Sequence, residues 1–251
     1  MSDRRPNLVF AFPDEYRRQA MGFRNEDPVI TPNLDRFAAE SLVFTQAVSS
    51  RPVCSPYRAM LFTGKYPHAN GVLSNCNSST VQYENFLKAS ERCISDVLHD
   101  AGYSQGYIGK LHLDPPLEQY EFTEGRRRDG RIWDAYTPPG PRRHGFDFWH
   151  SYGCCDRHLS PHYWHGDVRI DERTDVKEWS VKHETDVAVD YIRNRDGKQR
   201  DADRPFSLFI SYINGSVSFK RIISRNSAVF GIQEIFQSNS GQNLTLKKSF
   251  G

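Results

Sequence analysis

The 251-residue sequence lacks any apolar run approaching the roughly 20 residues that a helix needs to cross a bilayer. It also lacks a strong net charge, because 33 Lys and Arg residues nearly balance 31 Asp and Glu residues and leave +2. A charge this close to zero provides no extended field for a nucleic-acid backbone. We therefore expect a protein that binds neither nucleic acid nor a membrane.

Cysteine is sparse, with five residues, and no Cys-x-x-Cys pair indicates a zinc site. The odd number argues against a disulfide framework, and the N-terminal apolar run is too short for a signal peptide. As written, the chain is therefore expected to be cytoplasmic, with most of its cysteines as buried thiols. Cys54 is the exception, because of the segment in which it stands.

Strand and helix patterns alternate along the chain, which favours an α/β fold with a mostly parallel sheet flanked by helices. The patterns predict strands at Asn7–Phe12, Leu42–Val48, Tyr103–Ile108 and Ser207–Tyr212, and helices at Pro32–Glu40, Tyr57–Phe62, Cys93–Ala101 and Glu184–Arg193.

Between Leu113 and about Ser180 the periodic pattern breaks down, and this stretch is predicted to form loops. It contains five histidines, most of them beside aromatic residues or proline, which we interpret mainly as packing residues rather than metal ligands. They are His144, His150, His158, His162 and His165.

Polar side chains follow two of the predicted strands, at the ends where ligands gather in open α/β sheets. Asp14 and Glu15 come directly after the first strand and offer hard oxygen ligands for Ca²⁺ or Mg²⁺. Lys110 and His112 follow another strand and, two residues apart, point to the same side. A cation and a titratable donor suit a transferring sulfuryl or phosphoryl group.

Cys54 stands on a polar turn between a predicted strand and a predicted helix, in the sequence Cys-Ser-Pro-Tyr-Arg. The N-terminus of a helix favours anions because its free N–H groups and dipole face them. Arg58, one turn further along, offers a guanidinium fork to an oxyanion. This position therefore suits a nucleophile that attacks an anionic group.

These segments, taken together, resemble the sulfatase family. VCSPYRAMLFTGKYPHANGV, Val53–Val72, resembles the first sulfatase signature, Cys-x-Pro-x-Arg followed by Thr-Gly, and GYSQGYIGKLHL, Gly102–Leu113, resembles the second. PNLVFAFPDEYR resembles the family's first strand with its metal-binding acid, and PFSLFISY, Pro205–Tyr212, a later core strand. The resemblance implies an alkaline phosphatase-like fold.

The resemblance implies that Cys54 is oxidised to formylglycine, whose hydrated aldehyde is the nucleophile, and that a formylglycine-generating enzyme carries out this maturation. It implies that Arg58 holds the modified residue, and that Lys110 and His112 bind the sulfate and the leaving oxygen. Asn75 matches a polar position on the substrate side. The implied substrate is a sulfated small molecule or glycan.

The implied metal is Ca²⁺, or Mg²⁺ or Mn²⁺, with Asp14, Glu15 and the modified Cys54 as ligands. Many members of the family have a second Asp where this chain has Glu15, which is one methylene longer. After Tyr212 the family's Pro-His element and later Asp-Asn or Asp-His pair do not appear, and Glu234 is the only acid in that part of the sequence.

We therefore predict two parts: an incomplete, truncated sulfatase catalytic domain over residues 1–212 and an off-family, poorly ordered tail over residues 213–251. Three functions stay open. The first is sulfuric ester hydrolysis, the second is hydrolysis of phosphate or phosphonate esters by a member of the same superfamily, and the third is a catalytically inactive fragment.

Overall fold

A seven-stranded sheet forms the centre of the computed structural model, which describes residues 5–116, 130–155, 157–213 and the backbone of 228–229. Its strands are β1 (Leu8–Pro13), β2 (Ser104–Lys110), β3 (Phe148–Tyr152), β4 (His162–His165), β5 (Thr174–Asp175), β6 (Phe206–Tyr212) and β7 (Ala228–Val229). Their spatial order is β5-β4-β3-β2-β6-β1-β7. Within the run β3-β2-β6-β1-β7, every neighbouring pair of strands is parallel. In contrast, β4 is antiparallel to β3, and β5 is antiparallel to β4. The predicted fold class is confirmed.

Helices cover both faces of this sheet. They are α1 (Pro32–Ala39), α2 (Cys54–Thr63), α3 (Pro67–Asn70), α4 (Ile94–Asp100) and α5 (Ser180–Arg193). Side chains alternate between the faces, as the two-residue period of a strand requires. On β6, Phe209 packs with Phe62 of α2, while Leu208 and Ile210 pack with Ala188 of α5. None of the described helices has the length and apolar character needed to cross a membrane.

The predicted strand at Leu42–Val48 is wrong, because these residues form neither a helix nor a strand. The apolar side chains that suggested a buried strand are largely exposed, with Leu42, Phe44 and Val48 at 57%, 68% and 70%. An apolar pattern without a neighbouring strand to pair with does not by itself produce a sheet.

The prediction of loops from Leu113 to Ser180 is also wrong in part, since three strands lie in this stretch. The strand β3 reads as FWHSY, and its polar residues hid the strand pattern. These residues are buried but bonded: Ser151 Oγ donates to Gly109 O at 2.7 Å, and both ring nitrogens of His150 face other histidines. Buried polar groups with partners are compatible with a central strand.

A glycine allows β2 and β6 to approach each other closely near the ends of both strands. Gly109 has a φ of +93°, and a Cβ at this position would lie 2.2 Å from the backbone oxygen of Ser211. Only glycine fits both the left-handed conformation and this contact. The contact holds the last residue of β2, Lys110, against β6.

The predicted boundary between residues 212 and 213 stays a prediction. Ile213 is buried, and Ala228–Val229 pairs with β1 as a parallel strand. Residues 214–227 and 230–251, on which the prediction of a poorly ordered tail falls, lie outside the described residues.

Candidate active site

Polar side chains gather where the neighbouring strands β2, β6 and β1 end. Asp14 follows β1 directly, and its backbone N–H donates to Tyr212 O, at the end of β6, at 2.8 Å. Lys110 is the last residue of β2. A cavity of about 340 Å³ lies beside these strand ends. It is lined by Asp14, Glu15, Cys54, Asn75, Lys110, His112, Trp133, Cys154, His158 and Ile213.

Cys54 is the first residue of α2 rather than part of the preceding turn, and Val53 caps the helix with extended backbone. The Cys54 thiol donates to Asp14 Oδ2 at 3.6 Å, and Lys110 Nζ lies 3.4 Å from Cys54 Sγ. The position therefore combines a helix N-terminus and an ammonium, which attract negative charge, with a carboxylate, which opposes it.

Asp14 forms a buried ion-pair network with two cations. Arg58 Nη2 donates to Asp14 Oδ1 at 2.7 Å, and Lys110 Nζ donates to Asp14 Oδ2 at 2.6 Å. Arg58, Asp14 and Lys110 are 0%, 2% and 4% exposed. Burial alone would raise the pKa of Asp14, but the charges of Arg58 and Lys110 hold that pKa well below its usual range. All three groups are therefore charged at neutral pH.

Arg58 lies beneath the cavity rather than in its wall. Its Nη1 donates to Lys110 O at 2.7 Å and to Ser211 Oγ, and its guanidinium carbon lies 5.4 Å from the Phe12 ring centroid. The Arg58 guanidinium is thus fixed by hydrogen bonds to the main chain of Lys110 and to Ser211 of β6, and it orients Asp14 and Lys110. Direct contact of Arg58 with a modified Cys54 stays a prediction.

His112 is buried and has one ring nitrogen fixed by main chain. Its Nε2 lies 2.9 Å from Cys76 O. Because a carbonyl only accepts, Nε2 carries the proton and Nδ1 is left with a lone pair, for which the described residues provide no partner. Burial and the charge of Lys110 hold the pKa of His112 well below its usual range. His112 is therefore a neutral group with a free acceptor.

Asn75 lies in the cavity wall and also supports the start of α2. Its Oδ1 accepts from Ser55 N at 3.0 Å, and Ser55 Oγ in turn accepts from Cys76 N at 3.0 Å. These bonds fix the first turn of the helix on which Cys54 stands. The structure thus gives Asn75 a positioning contact, and its predicted contact with substrate stays a prediction.

Sequence reasoning missed four residues of the cavity wall: Trp133, Cys154, His158 and Ile213. His158, interpreted in the sequence as a packing residue, lines the cavity, and its Nδ1 has no partner among the described residues. No periodic pattern surrounds these residues in sequence. Two predictions about the cysteines are confirmed. The five thiols are free rather than joined in disulfides, and all of them except Cys54 are buried.

The described residues do not complete a site for Ca²⁺. Such an ion needs about six or more oxygen ligands. The cavity offers the carboxylates of Asp14 and Glu15, and both oxygens of Asp14 already accept from cations. The donor type suits a hard cation, but the number of donors among the described residues is too small.

An α/β sheet with a helix N-terminus, a cysteine and two buried cations at its carboxyl edge is typical of enzymes that transfer oxyanion groups. The sulfatase family model matches residues 6–225, and the chain belongs to this family. The family resemblance stated from the motifs is thereby confirmed.

Individual sulfatases agree with this assignment. The chain is 44% identical over 218 residues to an endo-4-O-sulfatase from Bacteroides thetaiotaomicron, covering 82% of this chain and 42% of that protein. It is 35% identical over 208 residues to an ulvan-active sulfatase from Formosa agariphila, covering 82% and 35%. A solved structure named as the sulfatase yidJ, from Bacteroides fragilis, matches with a TM-score of 0.78 and 41% identity, covering 90% and 47%. The chain thus spans less than half the length of these relatives.

Proposed function

We propose that the protein acts in the hydrolysis of sulfate esters, with Cys54 converted to formylglycine. The formylglycine, when hydrated, supplies an oxygen nucleophile for attack on sulfur. The observation that supports this most directly is the position of Cys54 in a Cys-x-Pro-x-Arg segment, 3.4 Å from Lys110 Nζ and on the first turn of α2. A small nucleophile at this position lies beside the Lys110 ammonium and the N-terminus of α2, both of which attract an oxyanion.

The surrounding residues contribute charge and orientation. Lys110 is held by Asp14 at 2.6 Å with its ammonium beside the reacting position, so it stabilises negative charge on the sulfuryl oxygens without having to reorganise. Arg58 fixes Asp14 and the main chain of Lys110. The unprotonated Nδ1 of His112 offers a neutral acceptor for a proton.

The proposed substrate is a sulfated glycan. Two relatives have names that point to such substrates, the endo-4-O-sulfatase and the ulvan-active sulfatase. One aromatic side chain in the cavity wall supports the proposal. Trp133 lines the cavity, with its ring centroid 5.9 Å from that of His112. Aromatic faces supply large contact area to the apolar faces of sugar rings. A divalent cation, Ca²⁺ or Mg²⁺ or Mn²⁺, would take Asp14 and Glu15 as two of its ligands. The cytoplasmic location stays a prediction.

The test is coexpression of the chain with a formylglycine-generating enzyme, followed by peptide mass spectrometry at Cys54. Activity is then measured with a sulfated oligosaccharide, an aryl sulfate and an aryl phosphonate diester, each with and without Ca²⁺. Cys54→Ala is the inactive control, and Cys155→Ser is the matched variant of a cysteine that does not line the cavity. We expect sulfate release that is lost only in Cys54→Ala.

Other outcomes discriminate between the open functions. Faster turnover of the phosphonate diester would replace the proposal with a phosphonic or phosphoric ester hydrolase of the same superfamily. Complete conversion of Cys54 to formylglycine without turnover of any substrate would show that this chain is inactive.

A further inference from the structure

A second group of metal-ligating side chains lies outside the cavity. Cys93 precedes α4, Asp96 lies in its first turn, and His144 lies in the turn before β3. One ligand atom from each residue lies within 4.8 Å of the other two. Asp96 Oδ2 is 3.3 Å from His144 Nδ1 and accepts from Cys93 N at 2.8 Å. None of the three residues lines the cavity around Cys54.

Helix capping explains only part of this arrangement. Cys93 and Asp96 form a capping box at the start of α4. A capping box is normally built with Ser or Thr, whose hydroxyl is a far better acceptor than a thiol. The requirement for a cap therefore explains Asp96 but gives no reason for a sulfur atom at residue 93. A thiol, an imidazole and a carboxylate together are the ligand types that zinc prefers.

We propose that Cys93, Asp96 and His144 bind a zinc ion or another divalent metal ion of similar ligand preference. In the binding reaction the thiol of Cys93 loses its proton to solvent and the thiolate sulfur bonds to the metal, with Nδ1 of His144 and an oxygen of Asp96 as further ligands. The thiolate and the carboxylate together balance the 2+ charge of the ion. A water molecule would complete the four-coordinate shell.

The surroundings of the three residues suit such an ion. Cys93 and His144 are buried, while the Asp96 side chain is 27% exposed, which gives the ion a route from solvent. Cys93 N donates to Asp96 Oδ2, an arrangement that orients a ligating carboxylate from outside the ligand shell.

The ion would join two distant parts of the chain. Asp96 and His144 are 48 residues apart, and the contact between them connects the start of α4 with the turn that leads into β3. The metal would therefore stabilise the packing of α4 against the sheet. This role is independent of the proposed sulfate ester hydrolysis, because none of the three residues lines the cavity around Cys54.

The full chain is titrated with Co²⁺ under reducing conditions, and thiolate-to-cobalt charge-transfer absorption is recorded. Cys93→Ser keeps a good helix cap and removes only the thiolate ligand. His144→Asn removes the imidazole and tolerates the left-handed backbone of residue 144, whose φ is 45°. Cys155→Ser is the control, since it removes another buried thiol.

We expect the charge-transfer band in the wild type and in Cys155→Ser, no band in Cys93→Ser, and affinity weaker by at least about tenfold in His144→Asn. Zn²⁺ at roughly 100 times its Kd should raise the wild-type melting temperature by about 5–10 °C and leave that of Cys93→Ser unchanged. A band that persists in Cys93→Ser, or the absence of any band in the wild type, would overturn the proposal.

Discussion

Replacing Asp14 by Asn would remove the negative charge that holds two buried cations together. In the wild type, Asp14 Oδ1 accepts from Arg58 and Asp14 Oδ2 accepts from Lys110, at 2.7 Å and 2.6 Å. Asparagine has nearly the same shape but no charge, and one of its two terminal polar atoms is a nitrogen that donates rather than accepts. In the variant, two buried cations would face each other across a neutral amide.

The expected cost follows from burial. Removing one partner of a buried ion pair typically destabilises a protein by about 3–5 kcal/mol, because an uncompensated charge stays behind. The three groups of this network are at most 4% exposed, so water screens them little. We therefore expect Asp14→Asn to lower the free energy of unfolding by about 3–5 kcal/mol at pH 7. This is a large fraction of the roughly 5–15 kcal/mol of a typical domain.

The effect should depend on pH in a defined direction. The pKa of Asp14 is depressed in the folded state from its ordinary value of 3.8, because the charges of Arg58 and Lys110 outweigh the effect of burial. A carboxyl group of this kind stabilises the fold above its unfolded pKa and loses that contribution as the pH falls. The difference between wild type and Asp14→Asn should thus be constant above about pH 5 and shrink at lower pH.

Urea denaturation of the full chain, in the presence of a chelator, measures the difference from the midpoint and slope of the transition. Asp203→Asn is the matched control, because Asp203 is exposed in the turn before β6. If Asp14→Asn lowers the free energy of unfolding by less than about 1 kcal/mol, as surface changes do, the ion-pair reasoning is wrong.

Three further predictions follow from other contacts. Gly109→Ala should destabilise the fold by more than about 3 kcal/mol in urea denaturation, because its Cβ would meet a backbone oxygen at 2.2 Å, whereas Gly166→Ala should cost only about 1–2 kcal/mol of left-handed strain. Burial raises the pKa of Glu184 to about 8, so wild-type stability relative to Glu184→Gln should fall by up to about 1.4 kcal/mol per pH unit between pH 5 and 8; a difference independent of pH would refute this. Trp133→Ala should raise KM for a sulfated oligosaccharide roughly tenfold while changing that for an aryl sulfate less, and Trp179→Ala should change neither; equal effects on both substrates would contradict the stacking role.

Sequence patterns were sufficient to predict the strands at the centre of the sheet, but they did not predict the strands towards its edge. The strands β1 and β6, with the sequences LVFAFP and FSLFISY, lie largely buried between the helices, so their apolar runs show directly in the sequence. The strand β3 carries His150 and Ser151, whose bonding partners come from distant residues and leave no local signal. The opposite error at Phe44 arose because local propensity does not show whether a neighbouring strand exists.

The same distinction applies to the cavity. Asp14, Cys54 and Lys110 were predictable because each directly follows or begins a recognisable element, and parallel strands bring such ends together. Trp133 and His158 reach the cavity from irregular segments, and only the folded chain shows where those segments lie. The hydrogen bond from Arg58 to the main chain of Lys110, beneath the cavity, likewise joins distant segments and leaves no local signal in the sequence.

Local charge and net charge have different consequences at this site. Arg58 and Lys110 contribute +2, and Asp14 and Glu15 contribute −2, so the four groups sum to zero. Near Cys54, Lys110 Nζ lies 3.4 Å from the sulfur, and the Asp14 carboxylate, 3.6 Å away, is paired with both Arg58 and Lys110. A balanced group of charges, however, provides little long-range attraction for a sulfate ester. Positioning of the reacting group and electrostatic capture of the substrate are therefore separable. The described residues mainly position the reacting group.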